Sequence, residues 1–205
     1  YTLVMNPDIC FDESTLDSLY KSINADNRIA IVGCKMVDLN NEELLSAWKL
    51  PSIIDNIIIS VTLLHKIIGT PIKYKTYNHV MDVDVIQGAM FLARLDILKE
   101  VDYFSERTFL YMEESILGQK LKELNYRLRF LPEVEFVHKV GGSINKDLPD
   151  ITKKFKILRK SRYIYHKYYR KNSRIELFIY KLFSFIGLME KIILDLFLKI
   201  KRFIR

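Results

Sequence analysis

Cysteine is scarce in this sequence. The 205 residues include only Cys10 and Cys34, and neither belongs to a CxxC pair of the kind that binds zinc or cycles a disulfide. This scarcity excludes a disulfide framework and a cysteine-based zinc site, and it favours a reducing, cytoplasmic setting. No internal repeat or low-complexity segment is present either, which excludes repeat architectures and compositionally biased linkers.

Long uninterrupted apolar runs are also missing. The two most apolar stretches, IIDNIIISVTLLHKIIG and residues 173–205, contain polar or charged residues throughout. Neither reaches the roughly 20 consecutive apolar residues that a bilayer-spanning helix needs. We therefore expect the first stretch to form a buried or membrane-facing helix, and the second to lie on a membrane without crossing it.

Charge is unevenly distributed along a chain whose composition otherwise predicts a folded core, with 49% hydrophobic and 28% charged residues. Residues 152–205 contain 16 Lys and Arg against 3 Asp and Glu, whereas residues 1–151 contain 16 against 22. An acidic body thus carries a basic tail. This asymmetry indicates an anionic partner, such as phospholipid headgroups or nucleic acid.

The order of predicted elements indicates an α/β fold. The short strand TLVM is followed by an amphipathic helix within residues 11–26 and then by the β-rich run IAIVGCKMV. Further along, YRLRF alternates apolar and basic residues as a half-buried strand does, with Pro132 predicted to end it and VEFVH to form a last short strand. Strands alternating with helices predict a layered sheet with flanking helices.

The basic tail, residues 151–205, is predicted to form amphipathic helices. Apolar residues recur there at intervals of three and four, at Leu177, Phe178, Leu182, Phe185, Leu188, Met189, Ile192 and Leu196. We interpret the segment as a membrane-associating tail whose cationic face meets acidic lipid. Packing against the rest of the protein or a second subunit is the alternative, and the tyrosines among the basic residues also permit nucleic-acid binding, which we do not favour.

Four separated fragments carry the most specific signal. They are LVMNPD at Leu3–Asp8, GAMFLAR at Gly88–Arg94, FSERTFLYMEESILGQKLKELNYRLR at Phe104–Arg129, and VHKVGGS at Val137–Ser143. In this order and spacing the chain resembles the second half of a family 2 glycosyltransferase, especially the rhamnosyltransferase-like members. Agreement of four motifs in one order is more specific than any single motif.

The resemblance implies a GT-A-type fold, a mixed sheet with flanking helices, for residues 1–150. It also implies that the domain is N-terminally incomplete, because the family's first strand and nucleotide-binding segment have no counterpart before Tyr1. We therefore expect a fragment that is inactive alone, with a missing N-terminal half or a second subunit as partner.

For the metal, the resemblance assigns Asp8 as the last residue of a DxD-type signature, with Asn6 in place of the first aspartate. The resemblance also implies that His138, from VHKVGGS, is the second protein ligand. A carboxylate and an imidazole suit Mg²⁺ or Mn²⁺, which keeps its other positions for phosphate oxygens and water. Read singly, an NPD turn and a lone histidine are both common structural features.

For the proton, the resemblance places the general base in the acidic pair that follows FLYM. Glu114 stands where the family usually has aspartate, and we assign it as the base, with Glu113 orienting the site or contacting the acceptor. The alternative is that both glutamates simply favour the start of a helix. The aromatic residues before them suit a sugar-binding wall and a desolvated carboxyl group.

Glycines and lysines complete the predicted site. Gly88 and Ala89 fit close approach of the backbone to the substrate, and Gly141 and Gly142 suit a loop over the diphosphate. Lys139 or Lys146 is a candidate phosphate partner.

The function implied is inverting, metal-assisted transfer of a sugar from a nucleotide-diphosphate donor to a hydroxyl of a polysaccharide or lipid-linked glycan, in the cytoplasm at the inner face of the cell membrane. A non-catalytic, membrane-associated scaffold or remnant is the alternative.

Overall fold

The computed structural model describes residues 1–69, 78–139 and 150–204, with side chains as far as residue 198. The chain divides into two compact units. The sheet unit consists of Tyr1–Leu50, Lys73–Ser105 and Glu113–Gly142. The helical unit consists of Pro51–Ile72, Glu106–Met112 and Ser143–Arg205. The sequence analysis placed one boundary at residue 150. The helical unit also includes two segments from before that boundary, Pro51–Ile72 and Glu106–Met112.

The sheet unit contains a seven-stranded mixed sheet and a two-stranded sheet. Its strands are β1 (Thr2–Met5), β2 (Ile9–Cys10), β3 (Ile29–Val37), β4 (Glu43–Leu44), β5 (Ala47–Trp48), β6 (Met81–Val83), β7 (Val85–Ile86), β8 (Met90–Ala93) and β9 (Arg127–His138). The main order is β1-β8-β3-β9-β2, with β4 paired to β3 and β6 to β9. β3 and β9 run parallel, and the other pairs of this sheet are antiparallel. β5 pairs with β7 in the small sheet.

Helices cover both faces of the main sheet. The amphipathic helix α1 (Glu13–Asn24) packs Leu19 and Ile23 into one apolar cluster, with residues of β3, β8 and β9. A second cluster contains residues of α4 (Leu95–Glu100) and α5 (Glu113–Glu123). Since β3 contributes to both clusters, its continuous apolar run is explained by burial on two faces. The predicted mixed α/β sheet with flanking helices is thus confirmed.

The prediction that Pro132 ends its strand is wrong. β9 continues through Pro132 to His138, so the two strands predicted there form one. The pairing with β3 shifts at this point, from Leu131 opposite Cys34 to Glu135 opposite Lys35. Pro132 lies within the shift, where its missing N–H breaks no ladder hydrogen bond.

The helical unit is built from α2 (Ile53–Ser60), α3 (Thr62–Ile68), α6 (Ile151–Ile164) and α7 (Arg174–Ile204), with a π-helical turn at Tyr165–Tyr169. The apolar stretch predicted as one helix is therefore two. They are separated at Val61, which has an extended backbone with φ −104° and ψ 115°. The Ser52 hydroxyl and the Asp55 carboxylate form a capping box that begins α2.

A buried polar network lies inside the helical unit. His166 is fully buried, with Nε2 2.8 Å from the Asn56 amide nitrogen and Nδ1 3.1 Å from the Asn172 amide oxygen. These partners fit a neutral ring with its proton on Nδ1. Burial lowers the pKa of His166 to about 4, so the imidazole is uncharged at neutral pH.

Three charged side chains in the second half of the long helix α7 contact its neighbours in the helical unit. The Glu190 carboxylate accepts a hydrogen bond from the Thr62 N–H at 2.7 Å, and the Lys191 ammonium donates to the Thr62 hydroxyl at 2.6 Å. Asp195 accepts from the N–H of Thr152 at 2.8 Å. The apolar side of α7 faces outward. The sequence interpretation placed a cationic face of this segment against acidic lipid, whereas these three charged side chains contact α3 and α6.

The described residues contain no helix that combines the length and the apolar character needed to cross a bilayer.

We predict that Gly187→Ala destabilises the protein by roughly 1 to 3 kcal/mol, because an added Cβ would lie 2.0 Å from the Ser60 carbonyl oxygen of α2. An unhindered change of glycine to alanine within a helix has the opposite sign, since alanine has the higher helix propensity. Chemical denaturation measures the difference. Ile186→Ala, at the exposed neighbouring position, is the matched control and should change stability little. A Gly187→Ala protein more stable than the original would contradict the close packing of α7 on α2.

Candidate functional site

Asp8 and His138 are brought together by the pairing of β2 with β9. Ile9 lies opposite His138 in this antiparallel pair, and the Lys139 N–H donates to the Asp8 carbonyl oxygen at 3.0 Å. The adjacent side chains meet, with His138 Nε2 3.2 Å from Asp8 Oδ1. A histidine and an aspartate that are 130 residues apart in sequence therefore form one pair.

This pair has the spacing of two ligands of one cation. Donor atoms that each lie about 2.1 Å from a metal, at right angles, are about 3 Å apart. The other ring nitrogen of His138, Nδ1, is buried and has no hydrogen-bond partner. Within the described part of the chain, no group of three or more His, Cys, Asp or Glu side chains could hold a metal ion. The Asp8 carboxylate and the His138 imidazole offer two donors of the kinds that Mg²⁺ and Mn²⁺ accept.

Glu114 lies in the first turn of α5, against the loop that precedes β8. The Gly88 N–H donates to Glu114 Oε1 at 3.3 Å. A Cβ at position 88 would lie only 3.0 Å from the same oxygen, so glycine allows the carboxyl group to approach the backbone. Both Gly88 and Ala89 were predicted as points of close approach, and the partner that the structure shows at Gly88 is the carboxyl group of Glu114.

Burial, as the larger cause, and the neighbouring Glu113 carboxylate together raise the pKa of Glu114 to about 7, against the lowering effect of backbone hydrogen bonds. Glu113 itself has a buried carboxylate oxygen, Oε2, without a partner. A helix start alone would favour ionised, solvated glutamates. The Glu114 carboxyl group instead lies in a desolvated environment beside a second acidic side chain, and this environment raises its pKa.

The segments that carry these residues meet at one end of the main sheet. Strand directions put the last residues of β1 and β9 and the first residue of β8 at the same edge. The Asn6 N–H donates to the Ala89 carbonyl oxygen at 2.8 Å, which ties the turn before Asp8 to the loop that contacts Glu114. Asn6, Asp8, Gly88, Ala89 and His138 thus lie at or close to strand ends on this edge, and Glu114 of α5 contacts the same edge at Gly88.

The backbone just before α5 is strained. Tyr111 and Met112 both adopt the left-handed region, with φ of +69° and +71°. Two consecutive residues other than glycine in this region are costly, and such strain concentrates at functional sites. The aromatic run before the glutamates gives no local signal of this conformation.

Some predicted site residues contribute less, or lie outside the described residues. Lys139 is exposed, and it contacts Asp8 through its backbone N–H. Phe109, offered as part of a sugar-binding wall, is 87% exposed and belongs to the helical unit. Gly141, Gly142 and Lys146 lie outside the described residues.

A separate cleft of about 340 Å³ lies at the other end of α5. Its walls are Arg28, Asp82, Val83, Asp84, Gly118, Lys122, Asn125, Tyr126, Arg127 and Leu128. Lys122 pairs with Asp84 at 2.7 Å and Arg127 with Asp82 at 3.1 Å, so its main charges neutralise one another. None of the predicted site residues lines this cleft, and we do not assign it to the reaction.

Comparisons with known proteins support a glycosyltransferase role. No protein-family model matches the sequence. The chain is similar to the N-acetylglucosaminyl-diphospho-decaprenol L-rhamnosyltransferases of two strains of Mycobacterium tuberculosis, CDC 1551 / Oshkosh and ATCC 25618 / H37Rv, at 24% identity over 157 residues in each case. The match covers 72% of this chain and 49% of each relative, so the chain spans about half the length of the curated relatives it matches.

Proposed function

We propose that this chain takes part in sugar transfer from a nucleotide-diphosphate sugar to an acceptor hydroxyl, as a GT-A-type family 2 glycosyltransferase, with Glu114 as the general base. The observation that carries the proposal is the Glu114 carboxyl group, which has a pKa of about 7 and sits at the sheet edge that also carries Asp8 and His138. A base with such a pKa is about half ionised at neutral pH. It is then matched to the removal of a proton from a hydroxyl as that oxygen becomes a nucleophile.

The reaction at this base is a single displacement. The acceptor oxygen attacks the anomeric carbon of the sugar, the bond from that carbon to the diphosphate oxygen breaks, and Glu114 takes the hydroxyl proton. Direct attack from the face opposite the diphosphate inverts the configuration at the anomeric carbon. The Gly88 N–H, which donates to Glu114 Oε1, holds the carboxylate in place for this transfer. Glu113 raises the proton affinity of the base through its charge.

Asp8 and His138 would hold a divalent cation, Mg²⁺ or Mn²⁺. Such an ion acts as a Lewis acid that compensates the charge of the departing diphosphate. The chain's own contribution is to fix the two side chains in register, through the pairing of β2 with β9 and the hydrogen bond from Lys139 to Asp8. Asn6 anchors the same turn through its bond to Ala89.

The proposed acceptor is a lipid-linked glycan or a polysaccharide of the cell envelope, at the cytoplasmic face of the membrane. The similarity to rhamnosyltransferases whose name specifies a diphospho-decaprenol acceptor supports the lipid-linked form, with a rhamnosyl or another hexosyl group transferred. The test is incorporation of labelled sugar from a set of nucleotide-diphosphate sugars into lipid-extractable glycan. Membranes from cells that express the complete protein should incorporate label, and membranes with its Glu114→Gln form should not. Equal incorporation by both would favour the non-catalytic scaffold.

We expect Asp8→Asn to raise the divalent-metal concentration that gives half-maximal transfer by about tenfold or more, because one carboxylate ligand becomes a neutral amide. Titration of the transfer rate with Mn²⁺ and with Mg²⁺ measures the change. Asp12→Asn, a nearby exposed aspartate at the start of α1, is the matched control and should leave the titration unchanged. An unaltered metal requirement in the Asp8→Asn protein would show that Asp8 is not a ligand of the cation.

A further inference from the structure

The outward side of α7 is a continuous apolar surface. We call it the apolar stripe, and it consists of Ile175, Phe178, Leu182, Phe185, Ile186, Met189, Ile193, Leu196 and Phe197. Each of these side chains is at least 36% exposed, and Ile175 reaches 73%. They recur at three- and four-residue intervals, so they share one side of the helix. Patches of this kind on a soluble protein mark a surface with a partner.

The side of α7 opposite the stripe already packs against the rest of the helical unit. Tyr180, Ser184 and Leu188 are buried there, and the Ser184 hydroxyl accepts from Arg159 Nε of α6 at 2.9 Å. Gly187 allows the close approach to α2. The inner side of α7 is therefore already packed, and the stripe is a second apolar surface on the same helix.

Charged groups are absent from the stripe positions and lie beside or behind them. The Lys181 ammonium lies 4.7 Å from the centre of the Tyr163 ring, on the α6 side. Glu190, Lys191 and Asp195 are bonded to Thr62 or Thr152. A surface without charge of its own is suited to the acyl region of a membrane, where a charged side chain is expensive.

The segment that leads into α7, together with the first turns of α7, is strongly positive. The exposed cations of α6, the π-helical turn and the start of α7 are Lys153, Lys156, Lys160, Lys167, Arg170, Lys171, Arg174 and Lys181. The three acidic residues of α7, Glu176, Glu190 and Asp195, do not balance these eight cations. A second copy of the chain on the stripe would bring two basic segments together, whereas acidic lipid headgroups compensate them.

We propose that the apolar stripe of α7 lies in the interface of a bilayer that carries acidic lipids, parallel to its plane, with the basic residues of α6 and the π-helical turn among the headgroups. A helix with one wholly apolar side and cationic flanks takes this position, buried about 5 to 10 Å into the boundary between headgroups and acyl chains. The apolar side of the helix therefore contacts the acyl chains, and the cations lie among the headgroups. This inference does not depend on sugar transfer.

The test is sedimentation of the purified protein with vesicles of phosphatidylcholine alone and of phosphatidylcholine mixed with phosphatidylglycerol. The original protein should bind the mixed vesicles, bind the neutral ones less, and lose part of its binding as salt is raised. Phe178→Gln together with Ile193→Gln, both 67% exposed, should lower the partition coefficient about tenfold or more, since two large apolar side chains leave the bilayer. Leu39→Gln together with Leu124→Gln, exposed positions of the sheet unit, is the matched control and should bind as the original does.

Several outcomes would overturn the proposal. Equal binding by the stripe variant and the control would show that the stripe does not enter the bilayer. Equal binding to neutral and mixed vesicles would show that acidic lipids do not contribute to the binding. A protein that binds neither vesicle but forms a dimer that Phe178→Gln with Ile193→Gln dissociates would assign the stripe to a second copy of the chain. Thermal unfolding of both variants checks the fold, which these exposed substitutions should leave intact. None of these measurements uses sugar transfer, so the proposed reaction stands or fails separately.

Discussion

Glu114→Gln is expected to lower kcat for sugar transfer at least about 100-fold, because general bases contribute 10² to 10⁴ in rate. Glutamine keeps the size of the side chain, and its amide oxygen still accepts from the Gly88 N–H. It cannot accept the proton of the acceptor hydroxyl. The expected loss therefore isolates proton removal from substrate positioning, and KM should change far less than kcat. Initial rates with saturating donor and acceptor measure both constants.

The stability of the same variant provides an internal control. The pKa of Glu114 is about 7 in the folded protein and about 4.5 in the unfolded chain, so the carboxyl group stabilises the fold below pH 4.5 and loses this contribution as the pH rises through 7. Glu114→Gln cannot ionise, and at pH 8 it should be more stable than the original by roughly 3 kcal/mol. Near pH 4 the two proteins should unfold alike.

Glu123→Gln is the matched substitution at the exposed end of the same helix, and it should leave both the rate and the stability almost unchanged. A Glu114→Gln protein that folds and keeps a substantial part of the original kcat would exclude Glu114 as the base. The site would then lack a proton acceptor, and the scaffold alternative would gain support.

The fold was predictable from the sequence wherever burial follows a regular period. TLVM and IAIVGCKMV became β1 and β3, and the amphipathic stretch between them became α1, because apolar side chains recur there with the spacing of a strand or a helix. Pro132 misled the prediction, because the rule that proline ends a strand assumes regular pairing. Pairing is not regular at Pro132, because the register of β9 against β3 shifts there. The shift depends on β3, which is about 100 residues away in sequence.

The site was predictable only through the resemblance of separated motifs. Nothing local relates Asp8 to His138, and their contact arises from the antiparallel register of β2 with β9. The raised pKa of Glu114 depends on burial and on the approach to Gly88, neither of which can be read from the two adjacent glutamates. The orientation of α7 was missed for a similar reason. An amphipathic pattern defines two sides of a helix but does not say which side packs inward when small and polar residues complement a neighbour such as α2.

The pH dependence of transfer should follow the ionisation of Glu114. The base acts as a carboxylate, so kcat should be constant above the pKa and fall about tenfold per pH unit below about 7. At pH 5 the rate should be about 1% of its upper value. An ordinary glutamate, with a pKa near 4.5, would still be mostly ionised at that pH. A rate profile between pH 5 and 9, at saturating substrates, measures the position of the acid limb.

Glu113→Gln should move this limb to lower pH, because it removes a negative charge that raises the pKa of Glu114. Burial is the larger cause and persists in the variant, so the limb should stay above the pH of an exposed glutamate. Glu123→Gln, at the far end of α5, should not move it. An acid limb that is the same in the Glu113→Gln protein, or that survives in the residual activity of Glu114→Gln, would assign the titration to another group and remove the physical basis for the proposed base.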